Sequence, residues 1–277
     1  MSTLKAAEQF SRLVQIMAAL RSPHGCPWDR EQTLQSLAQF VLEEAYEVVE
    51  AIERDDLPAL REEIGDHIFE GVFLAQIASE RGSFDVAEAL SAVADKLIRR
   101  HPHVFRDDGQ LHDADSKSRA PSATAALARW DAQKANERLA AGQRHSALGD
   151  LPNSLPALLA AFKVGKRAAA AGFDWAKAAD VFDKVVEETT ELFEATEADP
   201  YSLARAEEEV GDLLFAVANL ARKLGIEPEG ALRKANAKFM RRFSAMESAI
   251  SASGRTLDKL TLEELEAEWQ RVKGQTA

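Results

Sequence analysis

The chain has 277 residues, 46% of them hydrophobic, which is enough to bury the core of one large or two ordinary domains. A net charge of −12 argues against a nucleic-acid backbone or an anionic membrane as the main partner, but not against a phosphate substrate, because bound cations reverse the local field. The single cysteine, Cys26, excludes an intrachain disulfide and suits a reducing compartment; with no long apolar run near the N-terminus or elsewhere, no signal peptide or membrane span is expected, and the location predicted is cytoplasmic.

Ala, Leu, Glu, Lys and Arg dominate and strand signals are scarce, so the fold class read from the sequence is all-α, as two tandem related helical bundles. Phe10, Leu13, Val14, Met17 and Leu20 recur at helical spacing and predict a helix over 3–21, broken at Ser22-Pro23-His24-Gly25. A second helix is expected over 30–54. A third starts after Asp56, a good N-cap with Pro58 in the first turn, and ends at Gly82. A further helix covers 85–100, the polar stretch 106–123 reads as a loop, and a helix near 122–140 closes the first domain, 1–140. Residues 141–155, bearing Gly142, Gly149 and Pro152, read as a linker. The second domain, 156–277, repeats the plan with helices near 156–171, 177–198, 201–224, 228–252 and 261–273. The run from Leu213 to Leu224 is apolar nearly all round, which points to a covering subunit and hence a homodimer.

One acidic pattern occurs in both halves. Glu43-Glu44-x-x-Glu47 is followed by Glu63-x-x-Asp66, and Glu187-Glu188-x-x-Glu191 by Glu209-x-x-Asp212; Glu188 lies 144 residues after Glu44, and Asp212 lies 146 after Asp66. Spacings of three or four put carboxylates on one helix face. Glu44 falls in the middle of the stripe Leu37, Val41, Val48 and Ala51, and Glu188 in that of Val181, Val185, Leu192 and Ala195, with Glu47 and Glu191 at the edge. Within a packed face, two carboxylates ~6 Å apart repel by nearly 3 kcal/mol at an effective dielectric of ~20. Four of them need counter-charge, and Mg²⁺ or Mn²⁺ supplies it with the oxygen ligands that hard cations prefer. Lys96, Arg99 and Arg100 follow in the first half and Lys238, Arg241 and Arg242 in the second, spaced to meet a polyphosphate from one helical turn. Each half then carries Trp-x-x-x-Lys, Trp130 with Lys134 and Trp269 with Lys273. Clustered acids and a basic trio suit metal-assisted hydrolysis of a phosphoanhydride. Two rivals fit less well. A di-iron bundle needs Glu-x-x-His on two helices, which the second half lacks, and a helical scaffold would bind without turnover.

The acid pattern, the duplication and the strings Cys26-Pro27-Trp28-Asp29, Arg100-His101-Pro102-His103-Val104-Phe105, Gly172-Phe173-Asp174-Trp175 and Val210-Gly211-Asp212-Leu213-Leu214-Phe215 resemble the MazG family of all-α nucleoside triphosphate pyrophosphohydrolases over essentially the whole chain. The resemblance implies Mg²⁺-dependent hydrolysis of nucleoside triphosphates to monophosphate and pyrophosphate, loose base selectivity, a homodimer and a part in controlling or cleaning the nucleotide pool. It implies Glu188, Glu191, Glu209 and Asp212 as metal ligands and Glu187 and Glu208 as candidates to orient or deprotonate water. Lys184, Lys238, Arg241 and Arg242 match phosphate contacts, and Trp269 a residue lining the nucleotide site. Glu44, Glu47, Glu63 and Asp66 form a possible second metal site. The halves differ, however: Lys184 corresponds to Phe40, Asn236 to Ala94 and Leu213 to His67, so the second half is expected to be the main catalytic one. His101, His103 and His145 are read as packing and capping residues, Cys26 as a packed thiol, and Trp28, Trp130 and Trp175 as core residues.

Overall fold

A computed structural model describes residues 3–106, 108–113, 122–126, 129–130, 133, 137, 146–149, 151–198 and 200–275. The described residues are helical apart from turns, with one isolated bridge between Phe105 and Leu111, and the chain divides into units 1–142 and 143–277. Lys134, Gly142 and His145, singled out in the sequence, lie outside the described residues, as does much of the expected loop at 106–123 and helix at 122–140.

The first unit is built from α1 (Thr3–Leu20), α2 (Pro27–Glu31), α3 (Leu34–Glu53), α4 (Leu57–Glu80) and α5 (Val86–Arg100). The single helix expected over 30–54 is in fact two pieces. Gln32 and Thr33 are extended, and Thr33 restarts the helix with a reciprocal cap: its Oγ1 accepts from Ser36 N at 3.1 Å, while Ser36 Oγ accepts from Thr33 N at 2.9 Å. Asp56 caps α4 through Ala59 N at 3.1 Å, and Gly82, with φ of 67°, leaves it in the left-handed region that glycine enters freely. A short loop folds α4 back along α3, α1 and α5 pack on α4, and Met17, Leu37, Val72, Phe73 and Ile77 form the buried core. Arg21, just beyond α1, pairs with Glu80 at 2.6 Å, lies over the Phe73 ring and donates to the Asp29 carbonyl, which fastens the Cys26–Asp29 segment to the bundle.

The second unit contains α6 (Ala157–Ala170), α7 (Ala178–Glu197), α8 (Leu203–Lys223), α9 (Pro228–Ala252) and α10 (Leu262–Gln275), with a single 3₁₀ turn at Leu257–Lys259. Helices α7 and α8 make the hairpin equivalent to α3 and α4, and α6 packs on α8. That seam is tight: a Cβ on Gly165 would fall 2.0 Å from Asn219 Oδ1, so only glycine lets the two helices approach. Asp174 plays the part of the Asp29 segment. It is held by Arg222 at 2.5 Å and Lys223 at 2.8 Å, and those cations hold its carboxyl well below the usual carboxylate range. Helices α9 and α10 close on Met246, Ile250 and Val272, with Phe243, Leu257, Leu260 and Trp269 around them. The all-round apolar run of α8 is not fully covered: Leu213 and Leu220 are half-buried, while Leu214 and Val217 are exposed. With Val210 they form one stripe, and Phe182, Val186 and Phe193 form another on α7. Of the core tryptophans expected, Trp130 and Trp175 are half-buried, but Trp28 is 52% exposed and meets Phe40 edge-on. His101 does cap α5, its Nδ1 lying 2.6 Å from the Leu97 carbonyl.

Candidate active site

In the second unit the apolar stripe of α7 packs inward, with Val181 and Ala195 fully buried, and carries Glu188 into the bundle, where it is only 4% exposed. The return of the chain through α8 brings Glu209 alongside. Carboxylate oxygens of Glu188, Glu191 and Glu209 lie within 4.8 Å of one another. Burial, then Glu188 and Glu209, push Glu191 above the ordinary carboxylate range. Asp212 is exposed and stands outside this convergent set, as does Glu208; Glu187 is also exposed.

Lys184 sits one turn before Glu188 and bridges Glu188 at 2.6 Å and Glu187 at 3.0 Å, so it is an internal counter-ion of the cluster. Glu188 first and Glu187 second raise its ammonium pKa above the usual lysine range. Arg205 approaches Glu209 at 3.8 Å. On α9, Lys238 and Arg241 are exposed and Arg242 is half-buried. Trp269 packs against Phe239, ring centroids 5.1 Å apart, within the α9–α10 core.

The first unit reproduces the acids with a different balance. Oxygens of Glu44, Glu63 and Asp66 lie within 4.8 Å of one another, and Glu47 stands outside that set. Each unit thus gathers three of the four motif positions. Burial and then the neighbouring acids push Glu44 and Glu63 upward. The Lys184 position is Phe40, which packs into the core. Two of the basic trio are also engaged here: Arg99 and Arg100 grip Glu137 at 2.7 and 2.5 Å, and Arg100 lies over the Trp130 ring. Those hydrogen bonds, Arg100's the larger, lower the Glu137 pKa to about 2. At the same distance beyond Trp269 the second half has Thr276, not an acid.

Two acidic-site neighbours escaped the sequence reading. Arg205 is one turn before Glu209, and Glu70 one turn after Asp66; helical spacing could have found both. Glu70 is 8% exposed, and burial, then Glu44 and Asp66, raise its pKa.

A description of the MazG nucleotide pyrophosphohydrolase domain matches residues 32–105 and 178–245, the segments that carry the acids and the basic trios. Over 269 residues the chain is 49% identical to the nucleoside triphosphate pyrophosphohydrolase of Escherichia coli (strain K12), spanning 96% of this chain and 98% of that one. It is 42% identical over 265 residues to the nucleoside triphosphate pyrophosphohydrolase/pyrophosphatase MazG of Thermotoga maritima, spanning 96% of each. It is 38% identical to the uncharacterized protein YabN of Bacillus subtilis (strain 168), spanning 96% of this chain and 52% of that protein.

Proposed function

The chain belongs to the MazG nucleotide pyrophosphohydrolase family, and from that premise we propose that it is a nucleoside triphosphate pyrophosphohydrolase whose second half does the chemistry. The reaction is addition of water across the α–β phosphoanhydride, yielding nucleoside monophosphate and pyrophosphate, with Mg²⁺ as cofactor, Mn²⁺ as substitute and loose selectivity for the base. The observation that carries this reading is the convergence of buried Glu188 with half-buried Glu191 and Glu209 within 4.8 Å between α7 and α8. An all-oxygen set of that size suits a hard divalent cation, with phosphate and water completing the shell.

Glu188, Glu191 and Glu209 would hold the cation, and Asp212, one turn further along α8, would join them. When bound, the cation neutralises phosphate charge and polarises the scissile anhydride. Glu187 and Glu208, exposed next in sequence to Glu188 and Glu209, orient the attacking water and accept its proton. Lys184, Lys238, Arg241 and Arg242 take the phosphates, since charge-assisted bonds to phosphate are the strong ones. Trp269 lines the nucleoside end.

The exposed stripes on α7 and α8 support a homodimer that covers them. Among the described residues no helix is long and apolar enough to cross a membrane. The activity is tested by identifying products with and without Mg²⁺: monophosphate and pyrophosphate, abolished by chelation, are expected, and initial release of diphosphate and orthophosphate would refute the reading.

A further inference from the structure

We propose that the first unit carries a pocket for a phosphate group, held by the imidazoles of His101 and His103, that takes orthophosphate or a phosphate monoester. The two histidines flank Pro102 just beyond α5, and their rings stand 5.7 Å apart, tilted by 50°. With Ala126 and Trp130 they line a cavity of about 350 Å³, within the size range of small-molecule sites. No acid stands among the described lining residues, so the pocket lies outside the carboxylate cluster of Glu44, Glu63 and Asp66. The second half has Phe243 and Ala245 at the positions of His101 and His103, so the pocket is not a copy of the proposed catalytic arrangement. The inference stands apart from the activity proposed above.

The His101 ring is held by its own helix. Its Nδ1 lies 2.6 Å from the Leu97 carbonyl, which can only accept, so Nδ1 carries the proton and Nε2 is left to gain one. The turn bearing His103 is fixed by His112, whose Nε2 lies 3.1 Å from the Pro102 carbonyl and whose backbone N–H donates to the Val104 carbonyl at 3.0 Å. His103 is half-buried, yet its Nδ1 is shut off from solvent with no hydrogen-bond partner, a state that buried nitrogen seldom keeps. Burial first, then His101 and the exposed Arg129, hold His103 below the usual histidine range, so it rests neutral. Arg100 lies 5.4 Å from the centre of the Trp130 ring, and Glu137, the acid beside it, is shared between Arg99 and Arg100. That setting repels a metal cation and attracts an anion. A phosphate dianion in the cavity draws a proton from solvent onto each ring, and both imidazolium rings then donate to its oxygens. The orphaned nitrogen gains its partner in the same step.

The test uses the full chain with chelator present, so that no metal–phosphate complex forms. Side-chain nitrogen NMR spectra report the rings of its six histidines, and His101→Gln and His103→Gln assign the two signals. At about pH 6.5, near the ordinary histidine value, orthophosphate and a nucleoside monophosphate should each move both rings toward the imidazolium position. Affinity should fall at least about threefold on going to about pH 8, because each proton taken up on binding contributes up to about tenfold per pH unit. Each variant should weaken phosphate about tenfold, a low value for one charge-assisted bond. Trp130→Leu separates the sources: loss of the monophosphate alone marks an aromatic ester as the ligand, and equal affinities mark orthophosphate. Rings unmoved by either phosphate, undiminished affinity in both histidine variants, or affinity that does not fall with rising pH would each overturn the proposal. So would Zn²⁺, in a chelator-free sample, moving rings that phosphate leaves alone.

Discussion

Replacing Arg241 by alanine removes an exposed guanidinium from α9 while leaving the core beneath it untouched. A charge-assisted bond to phosphate contributes about 1.5–3 kcal/mol, and each 1.36 kcal/mol is tenfold in rate. Arg241→Ala should therefore lower kcat/KM by roughly ten- to a hundredfold, toward the lower end because water competes at an exposed position. The loss should be nearly uniform across bases, since every substrate presents the same phosphates. Arg99, the matching residue of the first unit, is the internal control. It is held 2.7 Å from Glu137, so Arg99→Ala should leave kcat/KM within about twofold and instead cost the first unit up to ~1 kcal/mol, the value of a partly exposed ion pair. Steady-state pyrophosphate release over a panel of nucleoside triphosphates, with unfolding curves for both variants, measures all of this. If Arg99→Ala lowers kcat/KM as far as Arg241→Ala while remaining folded, the triphosphate has been assigned to the wrong half.

Glu188→Gln should remove most turnover, about a hundredfold or more on the several kcal/mol a metal contributes, without loss of metal-free stability because repulsion on Glu191 is relieved; Glu44→Gln should cost far less activity, as paired rate and unfolding measurements will show. Trp269→Ala should change the ranking of bases, but the ring also packs on Phe239, so a stability loss of about 2–3 kcal/mol is expected, below the 3–5 of a fully buried tryptophan; Trp269→Phe separates the two effects in the same substrate panel. The Arg99–Arg100–Glu137 link has a depressed folded pKa near 2 against an unfolded value of 4.5. Its stabilisation is thus complete above 4.5 and lost as pH falls toward 2, and Glu137→Gln should flatten that limb of the acid-unfolding curve.

The helical plan was legible because apolar spacing and capping residues agree: the expected 228–252 is the observed α9, and Asp56 and Gly82 bound α4 as read. The break at Gln32-Thr33 was hidden because Asp29 to Thr33 carry neither an apolar residue nor a Gly or Pro to mark it, and only the reciprocal Thr33–Ser36 cap reveals the restart. Burial of Glu188 followed from its place in the stripe of α7. Lys184 was matched to a phosphate contact by family resemblance, yet its partners in the folded chain are Glu187 and Glu188. Nothing local announces that Glu137 occupies Arg99 and Arg100 from 38 and 37 residues away, since contacts at that range depend on tertiary packing. Glu70 was passed over although it stands four residues from Asp66, because it lies outside the Glu-x-x-Asp pattern that repeats in the second half.

The bridge from Lys184 to Glu188 couples two ligands through a single movable charge. A cation entering alone must compete with the ammonium for the buried carboxylate, and a triphosphate entering alone must draw the ammonium away from it. When both arrive, the lysine exchanges one anion for another and neither ligand bears the whole cost. On the proposed assignment each ligand would tighten the other by the same factor, and the metal–nucleotide pair would bind more tightly than the two separate affinities imply.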